Sequence, residues 1–403
     1  MFQAASTMVS GENTQTMITE AINTLRAQLG ELPIIGLTIY ASSKYNQSEI
    51  SAIAAEQLGP DIPIIGASTA GEIAQHGPSS TPAITMMLFA SDTIKCHATV
   101  VTEVTGNELV AGKALANQLL DQTEDPLELV IIHSDGLTVN PSAILRGIKK
   151  TLPGTPVVGG SAGDDGHYKT TNQYFNGETH SSAVVAMAFS GPIKFSIGVR
   201  HGWSPISGFR TVTRSEGSVV HEIDHKPAIK LYEEFIGEEE VSKLTEVTLA
   251  EIALSYPLGM MSTETHNLLL RAPFYADKKG SITFGGEVPE GTKVQLMMGN
   301  KDQAVDAAEE AGISAAKELG DKPIAALIYS CHVRDSLYQS RDESKKEISA
   351  IQKSIGVDTP LTGFFTYAEQ APILGTNATL KTCDSETYNE TIVTVLMSEK
   401  TEN

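Results

Sequence analysis

The sequence predicts a mixed α/β fold: mixed sheets built from repeated βαβ units with antiparallel hairpin extensions, shared between two regions. Three observations carry this. A Pro-led segment recurs as Pro63-Ile-Ile-Gly-Ala-Ser-Thr-Ala-Gly-Glu72, Pro156-Val-Val-Gly-Gly-Ser-Ala-Gly-Asp164 and Pro360-Leu-Thr-Gly-Phe-Phe-Thr-Tyr-Ala-Glu369. Each copy follows an apolar run suited to a buried strand and then a stretch of helical period. Between the copies lie short apolar runs broken by Gly, Pro, Ser and Asp, which read as antiparallel pairs.

In the first unit the run Ile34 to Tyr40 is the strand, and Ile50, Ile53, Ala54 and Leu58 form the buried stripe of the helix. In the second, Leu129 to His133 is the strand, and Asn140-Pro141 supplies the cap and first-turn proline before Ile144, Leu145 and Ile148. In the third, Ile324 to Tyr329 is followed by a stripe of Leu337, Ile348, Ile351 and Ile355. The runs Ile84 to Phe89 and Ile94 to Val101 are expected to pair as a hairpin, as are Ala183 to Phe189 and Phe195 to Val199. Leu268 to Leu296, broken at Asp277–Gly280 and Pro289–Gly291, reads as a meander before an Ala- and Glu-rich helix over 302–319. A boundary is expected near 224–240, where Asp224-His225-Lys226-Pro227 forms a turn before the acidic stretch Glu233, Glu234, Glu238, Glu239 and Glu240. This divides the chain into 1–225 and 226–403.

Composition bounds the function. With 403 residues, 41% apolar and 19% charged, the chain has ample material for a core. Its 49 acidic and 29 basic residues leave a net charge of −20, which opposes nucleic acid and anionic membrane and calls for a neutral or basic surface on any protein partner. Cys96, Cys331 and Cys383 are far apart and in no CxxC, as in a reducing compartment. The first basic residue is Arg26 and no apolar run approaches the roughly 20 residues of a membrane helix, so a cytoplasmic location without membrane insertion is expected.

Three enzyme motifs match in letters and fail in context. His221-Glu-Ile-Asp-His225 fits HExxH, but Val219-Val220 before it and Pro227 after it argue for a strand end, where the two imidazoles would stand too far apart for one zinc. Gly159-Gly-Ser161-Ala-Gly163 fits the nucleophile elbow and leaves a serine hydrolase as the enzymatic alternative, yet Asp164-Asp-Gly-His-Tyr-Lys is loop-like where a helix is required. Gly106 to Lys113 has one residue too many for a phosphate loop, and a helix is expected from Glu108.

In open α/β sheets ligands sit beyond the carboxyl ends of parallel strands. That rule selects Ser42 and Ser43, His133, Ser134 and Asp135, and Cys331, His332 and Arg334 after the first strands. After the second strands it selects Ser68, Thr69 and Glu72, then Ser161, Asp164 and Asp165, then Thr366, Tyr367 and Glu369. The expected ligand contacts are Ser68, Thr69, Glu72, His133, Asp135, Ser161, Asp164, Cys331, Arg334, Tyr367 and Glu369. A guanidinium at Arg334 suits a carboxylate, and Glu72 or Glu369 suits an amine, as in a small zwitterion.

Ile64-Ile-Gly-Ala-Ser-Thr-Ala-Gly-Glu72, His201-Gly-Trp203-Ser-Pro205, Pro227-Ala228, Phe284 through Val288-Pro-Glu-Gly291, Cys331 with Arg334, and Gly363-Phe-Phe-Thr-Tyr367-Ala-Glu369 fall in an order that resembles FIST proteins. These are bacterial sensory proteins with paired FIST N and FIST C regions, and the resemblance spans about residues 30–390. One departure is Ala368, where the family usually has glycine. The resemblance implies a non-enzymatic sensor that binds an amino-acid-like molecule and signals to a partner protein. It also implies an alternative, a haem-binding nitric-oxide sensor controlling a separate histidine kinase. His332, Cys331 or His133 would then ligate the iron.

Overall fold

Three sheets of one design form a ring in the computed structural model, which describes residues 1–239, 241, 255–261, 268–372 and 385–400. Cys383 and Glu240 lie outside the described residues. Unit I supplies strands Phe2–Val9, Ile34–Ser42, Ile64–Thr69 and Ile84–Ser91; unit II supplies Lys95–Val101, Leu127–Ser134, Val157–Gly160 and Val184–Ser190; unit III supplies Ile193–Arg200, Ala325–Cys331, Leu361–Thr366 and Ile392–Glu399. Within each unit the two middle strands run parallel and the last pairs antiparallel with the one before the crossover. Each chain path is therefore strand, helix, strand, helix, strand, hairpin, strand, which enlarges the βαβ units of the sequence reading.

The hairpins are exchanged around the ring. Glu72–Ala74 and Gly77–Pro78 leave unit I to extend the sheet of unit III beside Leu361–Thr366. Gln173–Phe175 and Glu178–His180 pass from unit II to unit I, and Glu369–Pro372 with Ser385–Tyr388 pass from unit III to unit II. The runs expected to pair with each other do not: Ile84–Ser91 closes the first sheet while Lys95–Val101 opens the second, and Val184–Ser190 and Ile193–Arg200 part in the same way. The tight turns between them join sheets rather than strands of one sheet.

Burial explains the apolar runs. Residues such as Tyr40, Leu129, Ile131, Leu327 and Tyr329 face a shared central core, while Ile39, Val130, Ile132, Ala326 and Ile328 face each unit's own helices. A strand covered on both faces cannot alternate apolar with polar. Five of the described helices start at side-chain caps, with Asn13, Asn46, Asn140, Asn300 and Ser340 each accepting a backbone N–H of the first turn. In unit III the second helix is broken into His332–Ser336 and Arg341–Ile355, so Leu337 sits in the turn between them rather than on the buried stripe.

The repeated glycines mark the tightest contact. Gly66, Gly159 and Gly363 pair with Ile39, Ile132 and Ile328, and a Cβ on any of them would stand 1.8, 2.0 and 1.9 Å from the carbonyl oxygen of that partner. One residue further along the partner strands come Tyr40, His133 and Tyr329, which meet where the three units converge. Tyr40 Oη lies 3.1 Å from His133 Nε2 and 3.3 Å from Tyr329 Oη, and all three are fully buried.

Unit III differs by an insertion. The first strand and first helix are joined by residues 10–13 in unit I and 102–107 in unit II, but by 201–300 in unit III. This insertion carries the expected meander as part of a nine-stranded sheet, with helix Ile229–Ile236 alongside. Among the described residues no helix is long and apolar enough to cross a membrane.

Candidate ligand-binding cleft

The strand-end polar residues are brought together, and most are bonded to one another across the seams between units. Thr69 Oγ1 donates to Glu72 and Thr366 Oγ1 donates to Glu369, each at 2.5 Å, so the two copies of the repeat form the same pair. Ser68 Oγ donates to the Gly163 carbonyl, and Ser161 Oγ lies 3.0 Å from Ser134 Oγ and accepts from Gln370. Asp135 accepts from the backbone of Leu137, Thr138 and Ser182. Asp164 accepts from Tyr168, Lys169 and Thr170 N–H and from the Tyr367 hydroxyl, while Asp165 accepts from Ser42 and Ser43. The loop after Gly160 thus fills the strand ends. His133 is closed in at the ring centre, with Nδ1 3.1 Å from the Gly160 carbonyl.

These buried groups make stability depend on pH. Burial pushes Glu72 and Glu369 up to about 8, outweighing their threonine hydrogen bonds, and pushes His133, His201 and His332 down to about 4. The folded carboxyls hold protons that the unfolded chain has released above its ordinary carboxylate range, so their contribution falls as pH rises toward 8. The histidines act oppositely, because below about 6.5 the unfolded chain binds protons that the folded one refuses. Above pH 6.5 only the carboxyls act. The urea midpoint is expected to fall between pH 6.5 and 8, and the double variant Glu72→Gln, Glu369→Gln is expected to flatten that fall.

Arg334 has no face open to a ligand at the strand ends. Fully buried, it donates to the carbonyls of His201 at 2.5 Å and Ala304 at 2.7 Å, pairs with Glu347 at 3.2 Å, and places its guanidinium 5.7 Å from the Trp203 ring centre. The His201 turn and Trp203 that it holds wall a cleft of about 430 Å³ between the end of strand Ile193–Arg200, the start of helix Lys301–Leu319 and the turn into strand Ile392–Glu399. Arg200, His201, Trp203, Gln303, Tyr388 and Thr391 are in its walls.

The residues from 201 to 204 are shaped for this place. Gly202 has φ +92, and a Cβ there would meet the Gln303 carbonyl at 2.6 Å, so the turn lies flat on the helix. Trp203 N–H donates to His201 Nδ1 at 3.0 Å, which leaves Nε2 to carry the proton of the neutral ring. Arg200 pairs with Glu310 at 3.4 Å, while burial and the cations Arg334 and Arg200 keep His201 uncharged. Trp203 Nε1 and Gln303 Oε1 are both shut off from water and have no hydrogen-bond partner. Native interiors rarely leave such groups unmet, and a partner reaching them from the cleft must displace what covers them, Gly299 in the case of the indole edge.

Equivalent clefts occur in the other units. One is bounded by Thr102–Asn107 and Thr179–Ser182, the other by Ser10–Glu12 and Thr81–Pro82 with Lys44 and Tyr45. Only the third borders the insertion. The strand-end rule finds the correct edge of the sheet and, in Arg334, the cation that holds two of the residues lining the cleft, His201 and Trp203. It misses Trp203, Gln303 and Thr391; the signal for them was His201-Gly-Trp203-Ser-Pro205, the chain's single tryptophan set between two turn-formers.

Of the haem candidates, His133 and Cys331 do not fit an iron ligand. His133 has both nitrogens engaged and is packed against Tyr40, Tyr329 and Phe364. Burial, with the neighbouring Glu369 and Glu390 carboxyls, pushes the pKa of the Cys331 thiol up. His332 packs on Tyr168 and Tyr367 with Nδ1 buried and unpartnered, and none of the three clefts is lined by these residues. His221 lies on strand Val219–Ile223 and His225 in the turn after it, so the HExxH letters form no helical site. Ser161 is followed by loop, and Glu108–Leu120 is a helix.

Comparison with known proteins agrees with the motif order. An uncharacterised protein of Methanocaldococcus jannaschii is 29% identical over 152 residues, covering 35% of this chain and 29% of that one, so the match spans less than a third of that relative. An uncharacterised protein of Mycobacterium tuberculosis is 24% identical over 356 residues, covering 87% and 89% of the two chains. Among solved structures a cyanuric acid hydrolase from A. caulinodans aligns over 100% of both chains at 8% identity with a TM-score of 0.39, a level that carries no conclusion about this chain. The FIST N domain matches residues 37–226 and the FIST C domain residues 228–372. With both domains present in order, the chain belongs to the FIST family, whose domains are sensory and bind small ligands.

Proposed function

We infer that the chain is a non-enzymatic sensor: a small amino-acid-like molecule enters the cleft of unit III, and its occupancy is passed to a separate signalling protein such as a histidine kinase. The observation that carries this reading is the pair of unmet buried groups, Trp203 Nε1 as donor and Gln303 Oε1 as acceptor, in the walls of one cleft. A zwitterion supplies a carboxylate for the first and an ammonium for the second. Its position supports a signalling role, because the cleft lies at the joint between ring and insertion. A ligand that fits one packing of that joint better than another shifts the population toward it, by no more than the difference in affinity.

Trp203 is the only tryptophan, so its emission reports on this cleft directly. Titration with the standard amino acids is expected to change its emission with saturation for at least one of them. The same compound is expected to raise the unfolding midpoint, since at a hundred times its Kd a ligand specific to the native state adds about 2.7 kcal/mol. A rise in midpoint with unchanged Trp203 emission would move the site elsewhere.

A further inference from the structure

In units I and II the residue two positions before the last strand lines a cleft, and in unit III it lies buried behind one. Pro82 and Ser182 line theirs. In unit III that position is Glu390, set between the cleft residues Tyr388 and Thr391. Its backbone has φ +54, as Ser182 has +47, a conformation that costs a residue with a Cβ and persists only where its surroundings hold it. Here Asn389 does the holding: its side chain accepts from Ala272 N–H and donates to the Gly285 carbonyl, tying the segment to the insertion.

The two units then differ. The Ser182 hydroxyl is 2.6 Å from Thr105 Oγ1, whereas Glu390 is fully buried and neither carboxyl oxygen has a hydrogen-bond partner. The groups that act on it are Arg334, Glu369, the Cys331 thiol and, from helix Ile229–Ile236, the Tyr232 hydroxyl, which also has no partner. Burial holds its pKa well above the ordinary carboxylate range. With Gln303 Oε1, the unmet groups at this joint are mainly acceptors, so what they lack is a donor-rich group. Among the described residues no set of three His, Cys, Asp or Glu is placed to hold a metal ion, which points to an organic cation.

We propose that Glu390 is the acceptor for a cationic nitrogen, an ammonium or amidinium, of the molecule that enters the unit III cleft, with the Tyr232 oxygen as second acceptor. The inference rests on the cleft reading above. Because the carboxylate is closed off from water, docking requires the Tyr388–Thr391 segment or helix Ile229–Ile236 to give way. Recognition of the cation and movement of the insertion are then one event.

The test uses the full chain and Trp203 emission, with the standard amino acids, the matching primary amines and the matching 2-hydroxy acids as probes. The amino acid that changes emission is expected to bind about tenfold or more tighter than its hydroxy acid, and Glu390→Gln is expected to erase that preference. In the empty protein at pH 7 Glu390→Gln is expected to raise the unfolding midpoint, since the amide, unlike the carboxyl, need not take up a proton to be buried. A hydroxy acid binding within about twofold of its amino acid, an emission change with Mg²⁺ or K⁺ alone, or a lowered midpoint in the variant would each overturn the role of Glu390 and leave the cleft in place. If no probe changes Trp203 emission, the cleft reading falls and this inference with it.

Discussion

Gly363→Ala is expected to lower stability by about 3 kcal/mol or more, at the upper end of what overpacking a core costs. The added methyl would stand 1.9 Å from the Ile328 carbonyl oxygen, and that atom is backbone in the middle of a sheet, not the end of a side chain that could swing away. Relief requires the two parallel strands to part, and Leu361–Thr366 carries the exchanged hairpin of unit I on its other side. The damage therefore crosses from unit III to unit I. Urea denaturation of the variant against Gly320→Ala measures it, because a Cβ at Gly320 meets nothing within 4 Å. Gly320 has φ +69, so that control isolates the backbone strain of a helix end from steric overlap. Equal losses for the two variants would show that the close approach is not what the repeated glycine serves.

Arg334→Met is expected to cost about 3–5 kcal/mol, the range for removing one partner of a buried pair. It leaves the Glu347 carboxylate, 2% exposed, with only the Tyr338 hydroxyl at 2.8 Å, takes the guanidinium donor from the His201 carbonyl, and takes the second donor from the Ala304 carbonyl inside helix Lys301–Leu319. Arg334→Met with Glu347→Leu is expected to recover part of the loss, because an apolar pair is tolerated where a lone charge is not. A double-mutant cycle should give a coupling of about 1–3 kcal/mol. The cleft should suffer even where the fold survives: the guanidinium that fixes the His201 turn and lies against Trp203 is gone, so the emission response to amino acids should be lost in both variants. Retention of that response in the double variant would show that Arg334 serves stability alone.

The parts legible in the sequence were those written in local pattern. Apolar runs followed by capped helices marked the parallel strands, and Gly66, Gly159 and Gly363 aligned because each faces the same carbonyl. Thr69 with Glu72 and Thr366 with Glu369 recurred at the same spacing because they make the same hydrogen bond. The exchange of hairpins was not legible. Strands as short as Glu72–Ala74 and Gln173–Phe175 show no periodicity, and the turn from Ser91 to Lys95 reads the same whether its strands pair or part. The fourfold strand pattern of unit III was hidden by the insertion that separates Ile193–Arg200 from its helix at Lys301. For the same reason Trp203 and Gln303 gave no sign of sharing a cleft, and Arg334 read as a free cation because two of its partners are carbonyls, which sequence does not display, and the third, Glu347, lies on the next helix beyond a turn.

The central claim is that ligand enters the cleft of unit III and acts on the joint between ring and insertion. Amide hydrogen exchange of the full chain, with and without the amino acid that changes Trp203 emission, tests it most directly, since the two equivalent clefts serve as internal controls. The account predicts slowed exchange at residues 199–204, 301–307 and 388–391 with altered exchange in helix Ile229–Ile236, and no change at 10–12, 81–82, 102–107 or 179–182. Slowed exchange at those control segments, or at the strand ends 133–135 and 161–165 with the unit III cleft unchanged, would contradict it.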